Sequence, residues 1–369
     1  MDKTSELAGI LSKFFKWNKA RLTCFTHMLI ALFIVRTVNL SEIALAMDTK
    51  AQVSSRYKQL QRFFKNFIFD YDEIARWVFW LFGMKGKKVY LAMDRTNWCW
   101  GKSGINVFTL SVICGNVAIP IFWQLLPKKG NSSFEEQRAL ITRFIRVFKK
   151  KNILGLLADR EFGHGDLLRW LRKEDIPFYI RIKNGALVKE NRKDKNAWAI
   201  KHAFSSLNNK EQSYLATTMT IYNNTLYVGA GRSEKGELMI VVTNQDPKEA
   251  INIYLKRWGI ETLFSCLKGR GFHFEDTHMT RHERIAKLMV LLTIGFCWAL
   301  KLGQCAVTKK VMRLKMKTFK DGKRPQKSIF RLGLDFIRET FINPSKLINN
   351  LGDVLSIFNR PLKNLEAFL

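Results

Sequence analysis

The sequence KKVYLAMDRT, residues 87–96, decides the fold because a run of β-branched and apolar residues ends on a carboxylate. Residues 87–93 predict a buried strand that stops at Asp94. A second stretch has the same form, since ILGLLA at 153–158 is followed by Asp159. A single aspartate after a strand is more often a turn or helix cap. Two such strands predict a sheet with a pair of acids at its carboxyl-terminal edge.

The elements around these strands predict the fold class. Strands at 105–114 and 117–126 are joined by a Gly-Asn turn, and an amphipathic helix at 133–151 begins with Ser-Ser-Phe-Glu-Glu. A helix at 165–173 and a strand at 177–182 follow the second acid. Three strands, helix, strand, helix and strand is the order of a ribonuclease-H-like core, an α/β fold with a mixed sheet and flanking helices.

A third acid lies in NIYLKRWGIETLFSCLK, residues 252–268, which predicts one helix. Tyr254, Arg257, Glu261 and Lys268 are three, four and seven residues apart, a spacing that puts them on one helix face. One interpretation is a surface helix with an Arg–Glu pair, in which Arg257 steadies Glu261. The other is that the phenol and the cations bind phosphate. Trp258 is either a stacking platform for an unpaired base or a core residue.

The remaining sequence predicts helical and β-rich regions around this core. Residues 1–82 are predicted to be a helical, DNA-end-binding domain, because a cap at Asn39 starts one helix and a second follows at 51–67. A helical bundle with a solvated basic face is the alternative. The core would comprise 83–183 and 247–305, a β insertion 184–246, and a basic arm and helical region 306–369. The second helix carries four candidate DNA contacts: Arg56, Lys58, Arg62 and Lys65.

Composition indicates the class of partner. The 369 residues suffice for two or three domains, and 62 Lys and Arg against 31 Asp and Glu give a net charge of +31. Such a charge predicts a nucleic-acid partner, with an anionic membrane surface as the main competitor. The apolar runs 24–35 and 288–300 are shorter than the roughly 20 residues of a spanning helix, so we expect core helices and no membrane insertion. Six cysteines without a CxxC pair, and no signal-peptide pattern, predict a cytoplasmic protein.

Taken together, these motifs resemble the DDE transposases of bacterial insertion sequences. The resemblance is to the cut-and-paste family with the signature Tyr-x2-Arg-x3-Glu-x6-Lys, which Tyr254, Arg257, Glu261 and Lys268 match at every position. Asp-Arg-Thr at 94–96 and Ala-Asp-Arg-Glu-Phe at 158–162 are similar to the two aspartate motifs of that family. The β insertion is also a family feature, and the resemblance covers roughly residues 30–300.

The resemblance implies a catalytic site and a reaction. Asp94, Asp159 and Glu261 would be the catalytic acids and hold two Mg²⁺ ions, with Mn²⁺ as a substitute. Glu161 is expected not to be a ligand, because it would point to the other side if the strand continued. The family phosphate grip would be Tyr254, Arg257 and Lys268.

The implied reaction is cleavage at terminal inverted repeats, a DNA hairpin intermediate and transfer to target DNA. A homodimer would act on double-stranded DNA in the bacterial, nucleoid-associated cytoplasm, and the region 306–369 would contribute to dimerisation. Two alternatives remain: a related metal-dependent nuclease or resolvase without strand transfer, and a DNA-binding derivative that is no longer catalytic.

Overall fold

The computed structural model describes residues 3–308, 315–319 and 322–362, and the chain divides into two compact units. Among the described residues, the helical unit comprises 3–85, 97–106, 263–308, 315–319 and 322–362, and the sheet unit comprises 86–96 and 107–262. These bounds come from the packing of the chain and differ from the predicted domain limits, which stay predictions.

Five helices form the amino-terminal part of the helical unit, as the sequence predicted. The predicted cap at Asn39 is confirmed, because its side-chain oxygen accepts a hydrogen bond from the backbone N–H of Ser41 at 3.0 Å. Asp70 caps the fifth helix in the same way. The helices are α1 Lys3–Leu11, α2 Lys19–Val35, α3 Leu40–Ala46, α4 Val53–Asn66 and α5 Tyr71–Leu81.

The sheet begins with five strands in the order β3-β2-β1-β4-β5. Strands β2 and β3 are antiparallel, whereas β4 lies parallel to both β1 and β5. This mixed sheet, with its connecting helices, is the predicted ribonuclease-H-like arrangement. The strands are β1 Val89–Trp100, β2 Ser103–Cys114, β3 Val117–Leu125, β4 Ile153–Ala158 and β5 Phe178–Ile182, and the helices are α6 Phe134–Phe148 and α7 Gly165–Lys173.

The sequence predicted that strand β1 stops at Asp94. This prediction is wrong, because the strand continues to Trp100. Its parallel pairing with β4 ends at Met93 and Ala158, so Asp94 and Asp159 are the next residue on each strand. The longer β1 turns back into β2 through Gly101, whose φ of +54° is a left-handed conformation that glycine adopts without strain. The two acids therefore lie side by side where the parallel pairing ends.

The β-rich region extends this sheet, because its last strand β11 pairs antiparallel with β5. The whole sheet has eleven strands, in the order β3-β2-β1-β4-β5-β11-β10-β9-β6-β7 with β8 beside β10. The predicted insertion is thus continuous with the core sheet. Its strands are β6 Leu187–Lys189, β7 Trp198–Ala199, β8 Gln212–Tyr214, β9 Met219–Ile221, β10 Asn224–Arg232 and β11 Leu238–Thr243.

The single helix predicted for 252–268 is two helices, α8 Ala250–Leu255 and α9 Trp258–Leu267. At the junction the N–H of Arg257 bonds to the carbonyl of Tyr254, and the N–H of Ile260 bonds to that of Arg257. These i to i−3 bonds tighten the turn and bring residues three apart into line. A Cβ at Gly259 would lie 2.9 Å from the Val117 carbonyl carbon, so glycine permits this close approach.

Helix α10, His282–Thr308, is the buried centre of the helical unit. It is long and apolar enough to cross a membrane, with a mean hydropathy of 1.8, but 94% of its apolar window is buried. Helices α2 and α3 also meet that criterion as a pair bent by 101°. Within the helical unit its principal partners are α11 and α2.

The carboxyl-terminal elements belong to the helical unit. A two-stranded hairpin, β12 Met316–Phe319 and β13 Gly322–Pro325, lies in the predicted basic arm, of which 309–314 and 320–321 fall outside the described residues. Helices α11 Ile329–Ile342 and α12 Pro344–Ser356 follow. Gly303 of α10 and Gly333 of α11 face each other's helix so closely that a Cβ at either would meet backbone atoms, which explains the intimate α10–α11 contact.

Candidate active site

The structure brings the three predicted acids to one place in the sheet unit. Asp94 and Asp159 follow the paired ends of β1 and β4, and Glu261 lies in the first turn of α9. Asp159 also caps the short 3₁₀ turn that follows β4, accepting from the N–H of Arg160 at 2.7 Å. The fold thus supplies two acids from adjacent strands and one from a covering helix.

A single guanidinium connects these acids. Arg257 donates from Nη1 to Asp94 Oδ2 at 3.2 Å and from Nη2 to Glu261 Oε1 at 2.7 Å. Its Nε donates to the Tyr254 hydroxyl at 3.1 Å, and that hydroxyl donates to Asp159 Oδ1 at 3.2 Å. The eclipsed i, i+3 geometry of the α8–α9 junction explains why Tyr254 and Arg257 meet.

Burial makes this network electrostatically strong. Tyr254 is fully buried and Arg257 is 3% exposed. Burial raises the pKa of the Asp94 carboxyl to about 6, against the opposing pull of Arg257, while Glu161 and Asp159 add to the rise. Burial also raises the pKa of Tyr254 to about 12, so the phenol keeps its proton. For Arg257 burial acts to lower the pKa, but the facing Tyr254, Asp94 and Asp159 outweigh it and raise the pKa above its usual value.

The donor set fits a hard divalent cation, because the three side chains offer only carboxylate oxygens. Among the described residues, no three carboxylate, histidine or cysteine side chains surround a common point that suits a metal ion. In this arrangement the Arg257 guanidinium supplies the positive charge beside Asp94 and Glu261. A metal ion bound by these acids would therefore compete with Arg257 for their oxygens.

An ion pair that the sequence did not predict flanks the acids. Arg95 follows Asp94, Glu161 follows Asp159 by two residues, and the two form a bidentate pair with both N···O distances 2.7 Å. Strand β4 ends at Ala158 and Glu161 lies in the 3₁₀ turn, so the condition that the strand continues is not met, and the expectation that Glu161 is not a ligand stays a prediction. Arg95 also donates to the Gly130 carbonyl and to Asn131. The only sequence feature that indicated this ion pair was the position of Arg95 and Glu161 beside the two acids.

Two predicted contacts lie outside this network. Lys268 belongs to the helical unit, where it pairs with Glu275 at 2.6 Å and lies over the Trp98 ring. Trp258 is 58% exposed, so the core-packing interpretation is wrong. The exposed indole leaves base stacking as a prediction.

The predicted DNA-contacting face of α4 divides into two kinds of residue. Arg56 is committed to the protein, because it donates to the carbonyls of Met47, Thr49 and Ala51 at 2.6–2.8 Å and closes the end of α3. The other three side chains are exposed: Lys58, Arg62 and Lys65. One predicted contact thus serves as a structural clamp, and three are exposed.

Comparison with known proteins supports the coarser part of the resemblance, a transposase DDE domain. A solved structure of similar fold is the cryo-EM structure of a piggyBac transposase synaptic complex with hairpin DNA. It has 11% sequence identity and a TM-score of 0.45, covering 99% of this chain and 84% of that one. No curated protein matches the chain. Residues 85–298, more than half of the chain, match the family described as the transposase DDE domain, and the chain therefore belongs to that family.

Proposed function

We propose that this protein is a DNA transposase of the cut-and-paste family with the Tyr-Arg-Glu-Lys signature, acting on the terminal inverted repeats of its own insertion sequence. The observation that carries the proposal is the meeting of Asp94, Asp159 and Glu261 around the linked side chains of Arg257 and Tyr254. Family membership supports DNA transposition, for which divalent metal is generally used. The net charge of +31 suits a polyanionic partner.

The acids have the role of holding Mg²⁺ or Mn²⁺ against a DNA phosphate. When bound, such ions polarise the phosphoryl group and activate the attacking hydroxyl. Where an ion takes the carboxylate lone pair that now accepts from Arg257, the guanidinium would release that oxygen, since the two cannot share one lone pair. The released N–H groups match the geometry of a phosphate oxygen pair. Tyr254 would keep Asp159 oriented by its hydrogen bond.

Cleavage of DNA that carries the element's own ends tests this function. Full-length protein with Mg²⁺ is expected to give nicked, hairpin, double-strand-break and strand-transfer products on a gel. Asp94→Ala, Asp159→Ala and Glu261→Ala should abolish cleavage while DNA binding survives, and Asp353→Ala on exposed α12 should cut normally. Normal cutting by Glu261→Ala would refute the assignment. Cleavage without joined products would favour the nuclease alternative, and binding without cleavage would favour the inactive derivative.

The steps of the reaction separate the two roles of the signature residues. If Tyr254 and Lys268 hold the displaced DNA end, Tyr254→Phe and Lys268→Ala should still nick the first strand and fail mainly at the hairpin. If Arg257 is only a support for Glu261, Arg257→Ala should lose every step together, as an acid variant does. Sedimentation of the protein with two DNA ends would show whether a homodimer holds both.

A further inference from the structure

A polar cavity of about 180 Å³ lies in the helical unit, where α3 and α4 meet the segment that leads into α10. Tyr57 and Gln61 reach it from α4, and His278, Arg281 and Arg284 reach it from the α10 side. Its polar lining consists of two guanidiniums, two amides, a phenol, a hydroxyl and an imidazole, and it includes no carboxylate. All of these groups can donate hydrogen bonds, so the cavity is built for an anion.

The two guanidiniums are not neutralised by the protein. Within the described ranges 3–308, 315–319 and 322–362, neither the Arg281 nor the Arg284 side chain makes a hydrogen bond or an ion pair. A third cation and one acid stand close by, since burial lowers the pKa of Lys287, Glu283 raises it and Arg284 lowers it. Two guanidiniums in a lining without a carboxylate raise the free energy of the empty site, and an anion would relieve that repulsion.

The walls of the cavity are held in place independently of any ligand. Lys287 of α10 donates to the carbonyls of Phe64 and Lys65 at 3.0 and 3.2 Å, which ties the end of α4 to α10. Arg56 fixes α4 to the end of α3. Such a preformed site loses little freedom when a ligand binds.

We propose that this cavity binds one phosphodiester group of the DNA backbone, gripped by Arg281 and Arg284. The inference rests on the proposed function, because it takes DNA as the partner. The argument for DNA over a free anion is continuity: Lys58, Arg62 and Lys65 are exposed on the same helix that carries Tyr57 and Gln61. Residues 58, 62 and 65 lie on one helix face, so a strand that follows this face passes the cavity.

The salt dependence of DNA binding tests the site in full-length protein. Each neutralised phosphate contributes about 0.9 to the slope of log affinity against log salt. Arg281→Ala and Arg284→Ala should each weaken binding roughly tenfold and lower the slope by about one. The double variant should lower it by no more than about one if both grip the same phosphate. Arg172→Ala, an exposed arginine on α7, should leave the slope unchanged.

A second variant keeps every existing contact and adds a charge. Gln61→Glu places a carboxylate in the cavity lining, whereas Gln59→Glu places one elsewhere on exposed α4. The proposal expects the Gln61→Glu loss of affinity to exceed that of Gln59→Glu at least fivefold. Equal losses, or unchanged slopes in the arginine variants, would overturn the phosphate site while wild-type cleavage still upheld the transposase.

Two further results would also count against the site. A rise in melting temperature with inorganic phosphate, lost in Arg281→Ala without any change in the DNA slope, would assign the cavity to a free anion. Wild-type protein that binds no DNA would overturn the proposed function and this site together.

Discussion

Replacing Arg257 by methionine removes the charge at the centre of the acidic network and keeps most of the side-chain volume. The loss leaves Asp94, whose side chain is 19% exposed, without its cation, and leaves the buried Tyr254 hydroxyl without its donor. Glu261 is 57% exposed and contributes little, because water replaces the lost contact. Breaking a buried pair by removing one partner costs about 3–5 kcal/mol, and we take about 3 kcal/mol at pH 8. For a unit of this size that is a fall of about 6–12 °C in melting temperature.

The dependence on pH tests the origin of that cost. The pKa of Asp94 is about 6 with Arg257 present, and it must rise further when the cation is removed. At pH 5 the carboxyl of the variant is protonated and needs no counter-charge, so most of the destabilisation should vanish. The measurement is thermal unfolding followed by circular dichroism in EDTA at pH 5 and pH 8. Arg172→Met on exposed α7 is the matched control.

Magnesium provides the second arm of the same experiment. In the wild type a metal ion competes with Arg257, whereas in Arg257→Met the acids are free to bind it. An ion at a hundredfold excess over its dissociation constant stabilises by about 2.7 kcal/mol. Mg²⁺ should therefore raise the melting temperature of the variant at pH 8 more than that of the wild type. Equal losses at pH 5 and pH 8, or equal responses to Mg²⁺, would refute the view of Arg257 as a resident counter-ion.

Three other perturbations have defined outcomes. The folded-state pKa of Asp94 is raised from 3.8 to about 6, so the folded protein binds that proton more tightly than the unfolded chain does. The stability that Asp94 contributes to the folded state is therefore lost as pH rises through 6. Asp94→Asn should remove this dependence. In EDTA at pH 8 the variant should be about 3 kcal/mol more stable than the wild type and therefore unfold at a higher temperature. A double-mutant cycle of Arg95→Met and Glu161→Gln, read by urea unfolding, should give a coupling of about 1–3 kcal/mol, and a value near zero would deny the pair a positioning role. Arg56→Ala should destabilise the protein by about 1–3 kcal/mol and so lower its melting temperature. Lys58→Ala should weaken DNA binding without changing the melting temperature. The reverse pattern would exchange their roles.

The sequence predicted those parts of the structure that short-range rules determine. The apolar run 153–158 is a strand with the predicted bounds, because a continuous apolar run is typical of a strand that is buried on both faces of a sheet. Ser133 and Glu136 form the capping box that starts α6. The placement of Asp94 beside Asp159 follows from parallel pairing of two strands whose acids come directly after their apolar residues.

The features that the sequence did not predict depend on contacts between distant residues. The periodicity of 252–268 could not reveal the tightened turn at Arg257, which is accommodated by the approach of Gly259 to Val117. The extension of β1 to Trp100 depends on the hairpin with β2 and not on its own apolar pattern. The exposure of Trp258 likewise could not be predicted from residue type, because an indole favours burial.

The formal charges around Arg257 bear on how tightly this site would bind metal ions. Arg95 and Glu161 neutralise each other, Arg257 contacts Asp94 and Glu261, and the Tyr254 hydroxyl joins Asp159 to it. The three acids and Arg257 together have a formal charge of −2, which one divalent ion would balance. A second ion would leave the site with an excess of two positive charges, and a DNA phosphate would bring part of the compensation. Under the proposed function, the buried arginine would thus make tight binding of the full metal complement depend on DNA, because the second ion gains its counter-charge only from the substrate.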